Sequence, residues 1–312
     1  MSDRKNIKNY ICAAIAVIII TAMAAAAEAF GSKEIIFPEI AAICLGAFIA
    51  PRLAWNTSKL RMLVCIAVCA LFGYIISAFL PVTIYFKLLT AFIIGTVVLV
   101  LSETGFVPML SAIILPVVIK TDSIIYPVSA TLLTLSVTVI LYLLEKTGIR
   151  EKRAFIPQKT DIKNSYTILL KRFAVYSVLS FISVQTGFLI ALAPPLVVAF
   201  TELSNVSCPA RKIPLKICLL ISLSAFTGEA VRYAICQTMG FSLFAGVFIS
   251  VIAVIAVLML AKVYMPPILA ITVLAFLPNE VNIPLYTLQI TAGFSVLMIC
   301  ALLFFNDKIN DK

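Results

Sequence analysis

The 312 residues include no histidine and only one tryptophan, and charged side chains make up just 12% of the chain. Without histidine there is no Ser-His triad, no haem with a histidine axial ligand, and none of the usual zinc or di-iron sites. No Cys-x-x-Cys and no Gly-x-x-x-x-Gly-Lys-[Ser/Thr] loop occurs, so energy for any work would come from a gradient or a partner rather than from bound ATP. No paired-carboxylate motif stands out either, and the expectation is a protein that is not an enzyme and carries no cofactor or metal. Basic stretches interleaved with aromatics, which grip single-stranded nucleic acid, are also missing; the net charge of +10 therefore implies no nucleic-acid partner.

What fills the chain instead is hydrocarbon. Hydrophobic residues reach 62% and mean hydropathy is +1.13, where a soluble domain is near half apolar and a quarter charged. The apolar runs are continuous rather than alternating, so they read as helices and not as barrel strands. The chain is expected to be an all-α polytopic integral membrane protein, with the lipid bilayer as its first partner. Six of the eight cysteines (Cys12, Cys44, Cys65, Cys69, Cys218 and Cys300) lie inside these runs, where cysteine behaves as a small hydrophobe.

Charge, proline and turn residues cut the runs into about twelve membrane segments, eight long and four short. The first half reads Tyr10–Phe30, a short Pro38–Ala50, Leu60–Leu80, Ile84–Leu101, a short Phe106–Ile119 and Ile124–Leu144. The second reads Phe173–Ala193, a short Pro194–Leu203, Ile217–Gln237, Phe241–Ala261, a short Tyr264–Leu277 and Leu285–Phe305. At the N-terminus Arg4, Lys5 and Lys8 precede the first run, and Ala27-Glu28-Ala29 resembles a cleavage site. The run is long for a signal core, and removing it would break the symmetry of the halves, so it reads as a first span.

That symmetry is long, short, long, long, short, long, twice. Pro38 matches Pro194, Pro108 matches Pro266, Arg61 matches Lys216 and Gly73 matches Gly228, at a nearly constant offset. The expected organisation is two tandem parallel six-segment repeats, residues 1–144 and 173–312, joined by a basic cytoplasmic linker at 145–172. Charge supports it: with both termini cytoplasmic, only Lys33, Lys87, Lys120 and Arg232 of the 24 Lys and Arg fall outside cytoplasmic segments. A multi-pass protein of the cell (inner) membrane follows, and re-entrant short pairs would misplace those charges.

The stretch Tyr264–Pro278 is the pivot of the functional reading. It is too short to cross a bilayer comfortably, and a double proline fits only a first helical turn. Short, proline-interrupted segments in matching halves point to a transporter's binding site, with free helix-start N–H groups attracting anions. Pro266, Pro267 and Thr272 are the candidates here, with Pro108 and Ser111 in the counterpart. Thr201, Glu202, Ser204 and Asn205 close the segment after Pro194-Pro195, as a cavity lining or as a helix cap facing water. Glu39 reads as a first-turn cap. Glu229 and Arg232, one helical turn apart, lie roughly 20 and 24 Å from Lys216 along the helix; they read as a coupling pair, or as a snorkelling arginine with a structural partner.

From Pro194 on, the chain resembles the HPP family of small membrane proteins, named for a His-Pro-Pro opening a short membrane helix. The carrying residues are Pro195-Leu196-Val197-Val198-Ala199-Phe200, the run Ile217–Gly228, Met265-Pro266-Pro267-Ile268-Leu269-Ala270, and Leu303-Phe304-Phe305-Asn306. Met265 stands where the motif has its histidine, and Ile268 and Leu269 replace small residues. Members of that family are linked to nitrite transport in plastids and cyanobacteria. The resemblance implies a secondary transporter or permease for a small solute, with an inorganic anion such as nitrite as one candidate. The alternative is a non-transporting assembly or sensor subunit using the basic linker. Either reading is compatible with a homo-oligomer.

Overall fold

A computed structural model describes residues 2–157, 162–277 and 283–306. Pro278, Lys159, Lys308 and Lys312, used in the sequence reading, lie outside these described residues. Among them the protein forms twelve α-helices and no strand. The first six are α1 (Ser2–Ala29), α2 (Glu39–Cys44), α3 (Lys59–Phe79), α4 (Ile84–Leu101), α5 (Met109–Val118) and α6 (Ile125–Lys146). The second six are α7 (Ile162–Thr186), α8 (Pro194–Leu203), α9 (Pro214–Val231), α10 (Leu243–Ala261), α11 (Pro266–Leu274) and α12 (Ile283–Phe304). Eight are long and apolar enough to cross a membrane, and the protein is a multi-pass membrane protein.

Three of the long helices begin where the chain supplies a donor-satisfying side chain or a preset φ. Ser58 and Ser242 accept the Arg61 and Ala245 N–H groups at the starts of α3 and α10, each at 3.2 Å. Pro214 starts α9, where its missing N–H costs nothing. Their outer faces stay apolar and exposed, as with Leu60, Val64 and Phe79 on α3 or Phe244, Ile252 and Leu260 on α10. In water such patches would drive aggregation; here they are the surface that meets lipid.

The short helices differ in every respect. Pro38 and Pro108 immediately precede α2 and α5, and proline pairs open α8 and α11. Extended backbone at Ile36, Ala193 and Met265 leads into α2, α8 and α11. They are buried all round: only Glu202 of α8 and Val118 of α5 are less than buried. A helix apolar on every side belongs in a core, and these four make the core that the eight long helices surround.

Within the first half α3 packs on α4, α5 and α6; within the second α9 packs on α10, α11 and α12. Across the halves α4 meets α7, α1 meets α10, α5 meets α8 and α2 meets α11, and within the second half α8 meets α11. Glycine permits the tightest of these approaches. A Cβ on Gly73 would lie 2.5 Å from the Ile113 carbonyl, and one on Gly228 2.5 Å from the Thr272 carbonyl. Pro116 inside α5 cannot donate to the Ala112 carbonyl, and the Tyr126 hydroxyl takes that place at 2.9 Å. Tyr286 donates likewise to the Ile271 carbonyl of α11, at 2.9 Å.

Three boundaries differ from the sequence reading. The basic stretch expected to run to residue 172 turns helical at Ile162, because apolar residues already recur from there. The expected span to Ala193 breaks at Gly187, whose φ of +75° only glycine adopts cheaply, and a 3₁₀ turn at Leu189–Leu192 follows. The span Ile217–Gln237 is not uniform: α9 gives way to a π-helical turn over Arg232–Thr238.

Candidate functional site

A cavity of about 1220 Å³ opens at the end of the bundle where α7 begins. The end of α8 supplies Thr201, Glu202, Ser204 and Asn205, and the start of α11 supplies Met265 and Pro266. The turn before α5 adds Thr104, Gly105 and Val107; the loop after α2 adds Trp55 and Asn56. Lys171 and Arg172 come from α7, and Lys262 from the left-handed residue ending α10. Both halves of the chain therefore build one chamber, walled by short-helix ends together with the ends of the long helices α4, α7 and α9.

The polar groups in it are held in place. The Trp55 indole N–H donates to Glu202 Oε1 at 2.8 Å, tying a first-half loop to a second-half helix. Arg172 donates through Nε to Ser204 Oγ at 2.6 Å and through Nη2 to the Thr201 carbonyl at 3.1 Å. It thereby caps the C-terminal end of α8, where a cation suits the dipole. Lys171 Nζ reaches the Phe304 carbonyl at 3.1 Å. Asn205 Oδ1 accepts from the Ser207 N–H and hydroxyl, closing the turn after α8. The α8 terminus is thus both a capped helix end and a cavity wall. Among the described lining residues three side chains are cationic and one, Glu202, is acidic, so the field favours an anion. Burial, before all other influences, pushes the Cys208 thiol above its ordinary value, so it is not poised as a thiolate nucleophile.

Of the candidates from sequence, Thr201, Glu202, Ser204, Asn205 and Pro266 come together in this cavity. Pro108, Pro267, Ser111 and Thr272 do not line it. Thr272 Oγ1 pairs with Ser224 Oγ at 2.6 Å, and Ser224 also meets the Ile268 carbonyl, which fastens α11 to α9. The free N–H groups expected at short-helix starts are largely absent. Proline has none; the Leu196 N–H goes to the Ala193 carbonyl and the Ile268 N–H to the Met265 carbonyl, at 2.8 and 3.1 Å. Anion attraction in the cavity therefore rests on side chains.

Glu229 and Arg232 lie elsewhere, on α9 and its π turn, paired through both carboxylate oxygens and 1% and 9% exposed at their side chains. Glu39, expected as a first-turn cap, stands in the first turn of α2 but in the core. It is 1% exposed, Ser111 Oγ donates to its Oε1, and its Oε2 has no hydrogen-bond partner. Sequence reasoning missed Trp55, Lys171, Arg172 and Lys262. The lone tryptophan in a loop was a signal for the first; the cations read only as topology markers. No group of three or more metal-ligating side chains occurs among the described residues. Comparison with protein-family models, curated proteins and solved structures finds no match.

Proposed function

We propose that this chain is a secondary transporter or permease for a small solute, with a small inorganic anion such as nitrite as the leading substrate class. The observation that carries the reading is the 1220 Å³ cavity at the ends of short helices from both halves, rich in cations and tethered polar groups. Discontinuous helices around a polar chamber are how membrane carriers hold substrate, since irregular backbone is tolerated at membrane depth where it is buried in protein or lines a water-filled cavity.

The reading includes two tandem parallel repeats. In its support, exchanging each element for the one six places on reproduces the packing: α3 with α4, α5 and α6 becomes α9 with α10, α11 and α12. The pairs α4–α7 and α5–α8 become α10–α1 and α11–α2. Arg61 meets the Ser102 carbonyl as Lys216 meets the Ala261 carbonyl, and Glu103 and Lys262 share left-handed φ of 50° and 54°. The Met265-Pro266-Pro267 opening, resembling the HPP motif without its histidine, agrees with solute passage but supplies no titrating imidazole. With the linker cytoplasmic in the inner membrane, the cavity faces the cytoplasm. The Glu229–Arg232 pair, a candidate for coupling, enters as a closed pair that would couple only by opening during the cycle.

Uptake of nitrite and nitrate into proteoliposomes tests the proposal. Wild-type protein should move at least one of them faster than empty vesicles, and Arg172→Gln should slow it by weakening the α8 end and the cationic wall. A folded wild-type protein that moves neither favours the assembly or sensor reading.

A further inference from the structure

Glu39 is a buried carboxyl that the cavity does not use. It sits in the core of the bundle at the first residue of α2, with the hydroxyl of Ser111, near the start of α5, as its one side-chain hydrogen-bond donor. Its second carboxylate oxygen is fully enclosed and meets no donor. Ion pairs among the described residues do not include it.

The groups around it cannot neutralise a charge. Tyr126 on α6 feels the Glu39 carboxyl, but its hydroxyl is committed to the Ala112 carbonyl. Cys69 of α3, on the Tyr126 side, is a buried free thiol. The π turn Leu45–Ile49 and α11 (Pro266–Leu274) carry no titratable residue. On α1, Glu28 is exposed and directed to the Phe244 N–H at 3.4 Å, and Cys12 lies by Arg150 at the other end. An ionised carboxylate here would be a buried charge with no counter-charge, and such groups take up a proton instead.

Resting on the transport reading and deepening it, we propose that Glu39 is a proton-binding site, that Ser111 orients it, and that a proton is the coupling ion. Enclosed, Glu39 is the carboxylic acid. When α2 and α5 part and water reaches it, the acid gives its proton to water, leaving a hydrated carboxylate and hydronium; re-enclosure requires the reverse transfer. Each cycle thus moves one proton between the side where the core opens and the side where it closes. The same carboxylate-and-hydroxyl pair is missing from the second half: the matching contacts Tyr126–Ala112 and Tyr286–Ile271 put Ala270 at the position of Ser111, and Pro195 stands at that of Glu39. The proton site is single, one per chain.

The full-length protein in liposomes tests this by pH-difference infrared spectroscopy together with nitrite uptake and an internal pH dye. The wild type should show the C=O stretch of a protonated carboxyl at neutral pH. Glu39→Gln should lack that band, and Ser111→Ala, which keeps the carboxyl, should shift it. An inward proton gradient should accelerate wild-type nitrite uptake with matching acidification of the interior, and this acceleration should be lost in Glu39→Gln. Absence of the band in the wild type, or equal acceleration in Glu39→Gln, overturns the proton site while leaving nitrite transport standing. If wild-type vesicles take up neither nitrite nor nitrate, the transport reading falls and the coupling role falls with it, whatever the band shows.

Discussion

Two buried carboxylates sit in the same bundle under opposite conditions. Glu229 lies on a long helix with Arg232 one turn away, and each of its oxygens accepts a guanidinium N–H. Glu39 opens a short helix, touches one serine hydroxyl and keeps an oxygen without a partner. Both are 1% exposed. Depth in the protein is therefore the same; what differs is whether the charge is matched where it lies. A matched pair in low dielectric is a brace, costly to open. An unmatched acid is neutral while enclosed and charged once wet, which is what a gradient-driven carrier needs from a moving element.

The sharpest break of this contrast is removal of the arginine. Arg232→Ala should leave Glu229 buried against a lost counter-charge and cost about 3–5 kcal/mol, while Glu229→Met with Arg232→Met should recover most of it. Thermal unfolding followed by size-exclusion recovery in detergent reads both, and an intact single variant would remove the brace. Next comes the helix contact beside that pair. Gly228→Ala puts a methyl 2.5 Å from the Thr272 backbone oxygen and should cost roughly 1–3 kcal/mol, as should Gly73→Ala against Ile113, by the same measurement. Equal costs at both sites would extend the likeness of the halves; a large cost at only one would limit it. Trp55→Phe keeps an aromatic ring but removes the donor to Glu202, at about 1 kcal/mol. Its larger effect should be on uptake, since it unties the two halves at the cavity. Glu39→Gln should be smallest in stability, within about 1 kcal/mol, because a neutral amide replaces a neutral acid. A collapse on that substitution would show that Glu39 is charged and matched after all.

The segmentation of the chain was legible before any coordinates. Charges, serines and prolines at the ends of apolar runs mark helix boundaries through local chemistry, and α4, running Ile84–Leu101, begins and stops where the sequence places it. The short helices were legible for the same reason, since proline pairs act within one turn. The site was only half legible. The α8 terminus announced itself by polar residues after an apolar run, yet its partners Trp55 and Arg172 come from distant segments and give no local signal. Glu39 looked like an ordinary cap because its serine lies 72 residues away.

Composition and residue order by themselves determined that this is a helical, multi-pass membrane protein and where its proline-started short helices lie. Those properties depend on hydropathy and on proline, glycine and serine acting on their immediate neighbours. Only tertiary structure decided which charges are matched, which polar groups share a cavity, and that helix-start N–H groups are already spent. Those depend on which segments meet across the bundle, and the presence or absence of a counter-charge, not residue type, sets whether a buried carboxylate is held ionised or takes up a proton.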